Sequence, residues 1–280
     1  MSRDAVGWSQ ELWDRIDKAV GDEAKRSSLA AQFLPLVGPL AGALTVPADV
    51  IAYSPLSIAE DRVRPLVELS AEFTLTPTQV AGEANLLTAT SLATRAANLV
   101  AQAEDVLIFQ GDTGQNAPVF NLVKRRQSPG QGLLDAAEEE ITVQPVDPGE
   151  QHYGEHLFAA VATGCAHLQG KGQFGPYALA LHDEVYADSF APLAGSLTAP
   201  ADRIRPLVAQ GYFGTGALPR QTGVLLSVGG NTVDLVLASD ATVDFSQVDG
   251  DGLWRFRVFE RFALRVKERS AVLRLRFAGK

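Results

Sequence analysis

Several residue types are scarce in this 280-residue chain, and each scarcity excludes a class of protein. The single cysteine, Cys165, excludes an intrachain disulfide and any cysteine-rich metal centre. Basic residues are outnumbered by acidic ones, 24 against 33. The net charge of −9 lacks the positive field that a dedicated nucleic-acid-binding protein needs. We therefore predict no nucleic-acid partner, and 46% hydrophobic residues predict a folded globular protein.

Long hydrophobic runs are also missing. The longest apolar stretch, residues 33–46, is interrupted by two prolines and two glycines and is too short to cross a bilayer. Residues 1–10 contain no apolar run of the kind that a secretory signal requires. These absences predict a cytoplasmic protein with no membrane partner.

Three segments have the apolar spacing of helices. Residues 9–26 have an apolar stripe that includes Trp13, and Ser9 is placed to cap the first turn. Trp8 adjoins this stripe, so we expect the helix to dock on the rest of the protein. Residues 84–105 predict one long helix, and residues 151–168 predict another.

Strand signals surround these helices, and together they predict an α+β protein. Residues 63–75 alternate between apolar and polar side chains, as do residues 254–266 and 273–277. A turn at residues 268–270 predicts that the last two segments form a hairpin. Residues 225–228 and 233–238 predict a second hairpin around the Gly-Gly-Asn turn at 229–231.

One face of the predicted C-terminal hairpin is basic. It carries seven cations, for which we expect an acidic partner surface, either the chain's own acidic helices or another subunit. Glu260 interrupts the apolar face of the same segment, which indicates either a functional residue or, as the favoured explanation, a buried pair with a nearby arginine.

Few residues carry the signature of catalysis. His152 and His156 lie in an H-x-x-E-H pattern, which on a helix can bring two imidazoles to one metal ion, but Gly154 weakens the helix there. Cys165 has no neighbour that would lower its pKa and is expected to be a small core residue. We predict no enzymatic activity, no cofactor and no metal, with a metal-dependent hydrolase using His152 and His156 as a remote alternative.

Several segments together carry a resemblance to a known family. They are Trp13-Asp-Arg-Ile-Asp17, Gly38-Pro39, Pro65-Leu-Val-Glu-Leu-Ser-Ala-Glu-Phe-Thr-Leu75, Ala103-Glu-Asp-Val-Leu-Ile-Phe-Gln-Gly111, Gly132-Leu-Leu134, Gly175-Pro-Tyr177, and Val233-Asp-Leu-Val-Leu-Ala-Ser-Asp240. In their order and spacing the chain resembles the encapsulins of the linocin-like class. These are shell proteins of prokaryotic nanocompartments with the HK97-like capsid fold of tailed phages.

The resemblance implies an icosahedral shell assembled from one type of subunit. It implies an N-terminal lumenal helix and arm at residues 1–43 and an extended loop at 44–66. A peripheral domain would comprise 67–132 and 220–280, and an axial domain would comprise 133–219. The remaining alternative with this fold is the major capsid protein of a tailed phage or prophage.

The resemblance also implies a cargo enzyme, a peroxidase or a ferritin-like protein, held by its C-terminal peptide in an apolar lumenal groove. The matching positions are Phe33, Leu34, Leu36, Val243, Phe245 and Phe262. Gly195, Ser196 and Leu197 fall where the family's pore loop lies. Ala30, Ala31 and Pro35 depart from the family pattern beside the groove, and residues 112–131 look like an insertion.

Overall fold

The computed structural model describes residues 3–59, 62–147, 152–192 and 198–279. The helices are α1 Gln10–Ser27, α2 Pro77–Leu86, α3 Thr88–Gln110, α4 Leu133–Ala136, α5 Gly154–Gly170, α6 Asp183–Asp188 and α7 Pro200–Ile204. The strands are β1 Leu36–Val37, β2 Thr45–Pro47, β3 Val50–Tyr53, β4 Leu56–Ala59, β5 Val63–Pro65, β6 Val67–Leu75, β7 Val123–Arg126, β8 Glu139–Val143, β9 Tyr177–His182, β10 Gly211–Thr215, β11 Thr222–Ser227, β12 Val233–Val248, β13 Trp254–Val266 and β14 Val272–Phe277. The mixture confirms the predicted α+β class.

The first sheet has five strands in the order β1-β12-β13-β6-β7. The alternation predicted at 254–266 is confirmed, because every second residue of β13 from Phe256 onward is buried. The strand predicted at 63–75 is two strands, β5 and β6, separated at Leu66. Helices α1 and α3 pack on the sheet and share its largest apolar core.

Helix α1 docks as predicted. Ser9 caps it by accepting a hydrogen bond from the Leu12 N–H, and Trp13 and Ile16 are buried beneath it. Trp8 stacks on Phe256 of β13 with a centroid distance of 5.3 Å and an interplanar angle of 10°. The aromatic residues at the start of the chain therefore belong to the core of the first sheet.

The predicted single helix at 84–105 is in fact two helices, α2 and α3. They meet at Leu87, whose left-handed backbone (φ 54°) ends α2. The fully buried carboxylate of Glu83 accepts hydrogen bonds from the N–H groups of Ala89 (2.6 Å) and Thr90 (3.0 Å). Glu83 thus satisfies donors that the start of α3 leaves without partners inside the helix, a role that the apolar spacing did not reveal.

We expect Glu83→Ala to lower the free energy of unfolding by about 2–3 kcal/mol, because it leaves buried N–H groups unsatisfied. That loss corresponds to a fall of roughly 5–10 °C in the melting temperature of a chain of this size. Differential scanning calorimetry of the two proteins measures it. Glu83→Gln keeps one acceptor oxygen, so its melting temperature should lie between those of the wild type and Glu83→Ala. An unchanged melting temperature for Glu83→Ala would contradict the assigned role of Glu83.

The second sheet has the order β10-β9-β11-β14-β8, with α5 packed against it. Both predicted hairpins are wrong, because β11 and β14 belong to this sheet whereas β12 and β13 belong to the first. Each predicted turn instead carries the chain from one sheet to the other. A turn signal identifies where the chain changes direction, but it does not identify the strand's partner. The edge strand β8 begins with two acidic residues, Glu139 and Glu140, and pairs with β14.

The proposed division into peripheral and axial domains remains a prediction. The second sheet takes β8, β9 and β10 from residues 139–215, and it also takes β11 and β14, which lie beyond residue 219. Any boundary between the two parts therefore has to be crossed by the chain more than once.

The seven cations predicted on the C-terminal strands all have acidic partners within the chain. These partners lie mainly on neighbouring strands or in adjoining loops, and not on helices. Arg261 and Arg257 contact Glu68 of β6, and Arg265 and Lys267 contact the buried Asp234 of β12. The other pairs are Arg255–Asp249, Arg274–Glu140 and Arg276–Glu140. The seven cations are therefore paired within the chain, in two different sheets.

Residues 44–59 and 62–66 form a narrow arm of two short ladders, β2 with β5 and β3 with β4. The arm exposes large apolar side chains, among them Leu44, Tyr53, Leu56 and Val63, which are 66–76% exposed. Several large apolar side chains exposed on one segment are typical of a protein–protein contact.

None of the helices in the described ranges is long and apolar enough to traverse a lipid bilayer.

Candidate functional site

An open groove of about 570 Å³ lies between helix α1 and the edge of the first sheet. One wall is the exposed side of α1, from Asp17 to Lys25. The opposite wall is β1 with the turn that follows it, and the far end is the middle of β12. Glu104 of α3 and Glu260 of β13 line the groove between these walls, and they form what we call the groove floor.

Strand β1 provides a free sheet edge in this groove. It pairs in parallel with β12, with Leu36 opposite Leu235, and within the described residues it has no partner on its other side. Leu36 and Val37 are 53% and 36% exposed. Gly38 then turns the chain away at φ 125°, and a Cβ there would collide with the carbonyl oxygen of Leu237. The strand is therefore kept short by Gly38, and its apolar outer edge has backbone groups available for pairing with another strand.

The six predicted groove residues are not brought together on one surface. Five are buried in the core of the subunit, and only Leu36 is exposed. The buried five are Phe33, Leu34, Val243, Phe245 and Phe262. Phe33 packs against Phe213 and Phe109 at centroid distances of 5.5 and 6.3 Å. In this conformation Leu36 is the one member that a peptide in the groove can contact directly, and the peptide-binding role of the set stays a prediction.

A β-bulge shapes the groove at Glu260. Ser239 of β12 is opposite Arg261, and Thr242 is opposite Phe259. Two residues of β12, Asp240 and Ala241, therefore oppose the single residue Glu260. Such bulges are typical of positions where a strand redirects a side chain.

The two carboxyls of the groove floor are buried and incompletely hydrogen-bonded. Glu104 is 2% exposed and Glu260 is 6% exposed, and one oxygen of each, Oε1 of Glu104 and Oε2 of Glu260, has no hydrogen-bond partner. No ion pair with an arginine or lysine involves Glu260 among the described residues. The predicted buried pair of Glu260 with an arginine is therefore wrong, since the nearby arginines point to the opposite face of the sheet and bind Glu68 and other carboxylates.

Burial raises the pKa of three acids here, the two of the groove floor and the neighbouring Asp105. Burial, with smaller contributions from Asp240 and Asp105, raises the pKa of Glu260 to about 8. Burial, and then the charges of Glu260 and Asp105, raise the pKa of Glu104 well above its usual value against a hydrogen bond from Ser28. The pKa of Asp105 is raised to about 7 by burial, although its carboxylate accepts hydrogen bonds from the N–H groups of Leu29 and Ala30. The floor therefore holds protons at neutral pH.

The predicted pore residues Gly195, Ser196 and Leu197 lie outside the described residues. Their flanks, Pro192 and Thr198, follow α6 and precede α7 respectively.

The histidine motif does not form a metal centre in the described residues. Helix α5 begins at Gly154, so His152 lies outside it and the two imidazoles have different partners. His152 Nδ1 is 2.5 Å from Asp188 Oδ1, and His156 Nδ1 is 3.0 Å from the carbonyl oxygen of Gln144. No group of three metal-ligating side chains occurs in the ranges that the structure describes. The geometry therefore gives no support to the alternative of a metal-dependent hydrolase.

Cys165 is buried, and burial raises the pKa of its thiol to about 11. A thiol that stays protonated at neutral pH is a poor nucleophile. Its place on the buried side of α5, within an apolar core, fits the predicted structural role.

Comparison with known proteins identifies the class. The model of a family described as encapsulating protein for peroxidase, Linocin_M18, matches residues 1–263. The chain is 28% identical to the type 1 encapsulin shell protein EncA of Myxococcus xanthus (strain DK1622), over 96% of this chain and 94% of that protein.

Solved structures share the fold. The virus-like particle of Pyrococcus furiosus aligns with a TM-score of 0.68 at 14% identity, over 95% of this chain and 99% of that one. The capsid of Myoviridae phage XM1 aligns with a TM-score of 0.57 at 13% identity, over 90% and 92% of the two chains. These alignments confirm the predicted HK97-like fold.

The chain belongs to the Linocin_M18 family of encapsulins, as the family match over residues 1–263 shows. It is the shell subunit of a protein nanocompartment, and the family match favours this function over that of a phage capsid protein. Members of the family are structural proteins that assemble into shells of many identical subunits, so the predicted homo-oligomer is confirmed at that level.

Proposed function

We propose that the shell retains a cargo protein through a C-terminal peptide that binds in the groove between α1 and β1. The observation that carries this proposal is the open apolar edge of β1 beneath α1, where Leu36 and Val37 stay exposed. An extended peptide can pair with such an edge through main-chain hydrogen bonds while its side chains enter the groove. Burial of Leu36 against the peptide would supply part of the binding energy.

The cargo we propose is a peroxidase or a ferritin-like enzyme. The description of the family as encapsulating protein for peroxidase supports the first of these. The subunit itself would catalyse no reaction and would bind no nucleic acid. The compartment would lie in the cytoplasm, with small solutes entering through a pore lined by Gly195, Ser196 and Leu197.

We further propose that the arm at residues 44–66 contacts a neighbouring subunit. Its exposed apolar side chains would be covered there, which removes them from water.

Leu36→Asp should reduce the amount of cargo per shell at least about tenfold. A charge on the strand edge removes a contribution of about 1.5–3 kcal/mol from apolar burial. Shells of both proteins are purified from the native host and treated with protease. The protected contents are then identified and quantified by mass spectrometry, and electron microscopy verifies that the shells are intact.

Leu122→Asp is the matched control, because it places the same charge on an exposed leucine away from the groove. It should leave the protected cargo unchanged. Equal cargo in the Leu36→Asp and wild-type shells would contradict the proposed site. Contents that absorb as nucleic acid, with no protected protein, would instead favour a capsid that holds DNA.

A further inference from the structure

Two buried acids in the groove have no cation paired with them among the residues that the structure describes. Glu104 and Glu260 are each more than nine-tenths buried, each has an oxygen without a hydrogen-bond partner, and both line the groove. Buried charged groups in proteins are nearly always paired with an opposite charge or held in the neutral form. The groove floor thus lacks a positive charge that would stabilise its two acids in the ionised form.

The charged residues around the floor do not complete it. On α1, Lys18 pairs with Asp22 at 2.8 Å, and Asp17 pairs with Arg3 at 2.6 Å. Lys25 is exposed on the same helix, and Asp240 on β12 adds a further negative charge at the rim. No cation contributes to the raised pKa of Glu104 or Glu260.

The bulge explains why the site is at this position. Asp240 and Ala241 oppose Glu260 at an interruption of the ladder between β12 and β13, directly beside the open edge of β1. Main-chain pairing with β1 and a side chain directed towards Glu260 are therefore available to one extended peptide. A peptide with an apolar residue for the edge and a cationic residue for the floor matches both features.

We propose that Glu104 and Glu260 receive the ammonium or guanidinium group of a lysine or arginine in the peptide that occupies the groove. The inference rests on the proposed peptide-binding function and specifies its chemistry. On binding, the cation hydrogen-bonds to the unpartnered carboxylate oxygens, and a proton held by the pair is released to solvent. No covalent bond changes.

The proposal also predicts the direction of the pH dependence. Since the floor holds a proton below about pH 8, a cationic peptide must displace that proton when it binds at neutral pH. Binding should therefore tighten as the pH rises towards 8, by up to about tenfold per pH unit for one proton released.

A selection experiment tests the inference and does not require the natural cargo to be identified. A fluorescent protein with a random eight-residue C-terminal extension is co-expressed with the shell subunit, and the extensions that survive protease treatment inside purified shells are sequenced. Wild-type shells should enrich extensions with lysine or arginine at one fixed distance from the apolar positions. The Glu104→Gln/Glu260→Gln double variant should lose the enrichment at that position at least tenfold while keeping the apolar preference.

Glutamine is matched to the protonated acid in size, so the double variant should form shells, which electron microscopy verifies. Asp14→Asn, at an exposed position of α1 that does not line the groove, is the control and should keep the cationic preference. As a second measurement, the lysine or arginine of one enriched extension is changed to glutamine. Its loading should fall at least tenfold in wild-type shells and little in the double variant, since one interaction is then removed from both sides.

The possible outcomes separate the two proposals. Apolar extensions enriched without a fixed cationic position, or the same cationic preference in the double variant, would overturn the inference and leave the peptide groove intact. No enrichment of any extension would overturn the proposed function itself.

Discussion

Phe33→Asp is expected to prevent the subunit from folding, so that no soluble shell is recovered. Phe33 is 3% exposed, and it packs against Phe109 and Phe213 in the main core. Loss of a buried phenylalanine costs about 3–5 kcal/mol, and a buried unpaired carboxylate adds a further penalty. Together these approach the total stability of about 5–15 kcal/mol that is typical of a folded domain.

Leu36→Asp, three residues further along the same segment, is the control for this prediction. Its side chain is 53% exposed, so the substitution should leave shell yield and melting temperature close to wild type. Soluble yield, circular dichroism and electron microscopy of the two variants distinguish a core position from a groove position. Intact Phe33→Asp shells that melt like wild type would show that this residue is not in the core.

Glu260→Gln is expected to make the shell more stable at alkaline pH, with little effect near pH 5. The pKa of Glu260 is raised from 4.5 to about 8 by burial. The folded state therefore binds a proton that the unfolded state releases between these values. The resulting penalty is absent below about pH 4.5, grows as the pH rises, and is complete above about pH 8. Each pKa unit corresponds to about 1.4 kcal/mol.

Melting temperatures of wild-type and Glu260→Gln shells, measured from pH 5 to pH 9, test this prediction. The difference between them should widen steadily with pH and reach several degrees, since 1 kcal/mol shifts the melting temperature of a chain of this size by roughly 2–4 °C. Asp105, whose pKa is also raised, remains in the variant. The melting temperature of the variant should therefore still fall as the pH rises, but less steeply than that of the wild type. Asp251→Asn, in the exposed β12–β13 turn, is the control, and its melting temperature should depend on pH as that of the wild type does. Parallel curves for wild type and Glu260→Gln would contradict the assigned proton.

Local patterns predicted the elements of this fold better than their partners. The spacing around Trp13 located α1, and the alternation around Phe256 located β13, because each reports one buried face. The same patterns could not show that β13 and β14 lie in different sheets, since pairing depends on contacts distant in sequence. Leu87, between α2 and α3, adopts a left-handed backbone conformation. Leucine rarely does so, and the residue type therefore did not predict a helix boundary there.

The groove was predicted less completely than the fold. Apolar residues such as Phe33 and Leu36 look alike in sequence, whether they face the core or an open edge, and only their position in the fold separates them. Glu104 was not recognised as a site residue, because an acid within a helix usually faces water. The sequence signal that did exist was Glu260, a single acid that interrupts an otherwise apolar strand face.

The order of strands in the second sheet has a consequence for synthesis on the ribosome. Strand β14 lies between β11 and β8, yet the chain makes β12 and β13 for the other sheet before it makes β14. The second sheet therefore stays open in its middle while the two longest strands of the first are translated. All five strands of the first sheet have been made when β13 ends at Val266, whereas the second sheet still lacks β14, so the middle of the second sheet is the last part of the fold to be completed.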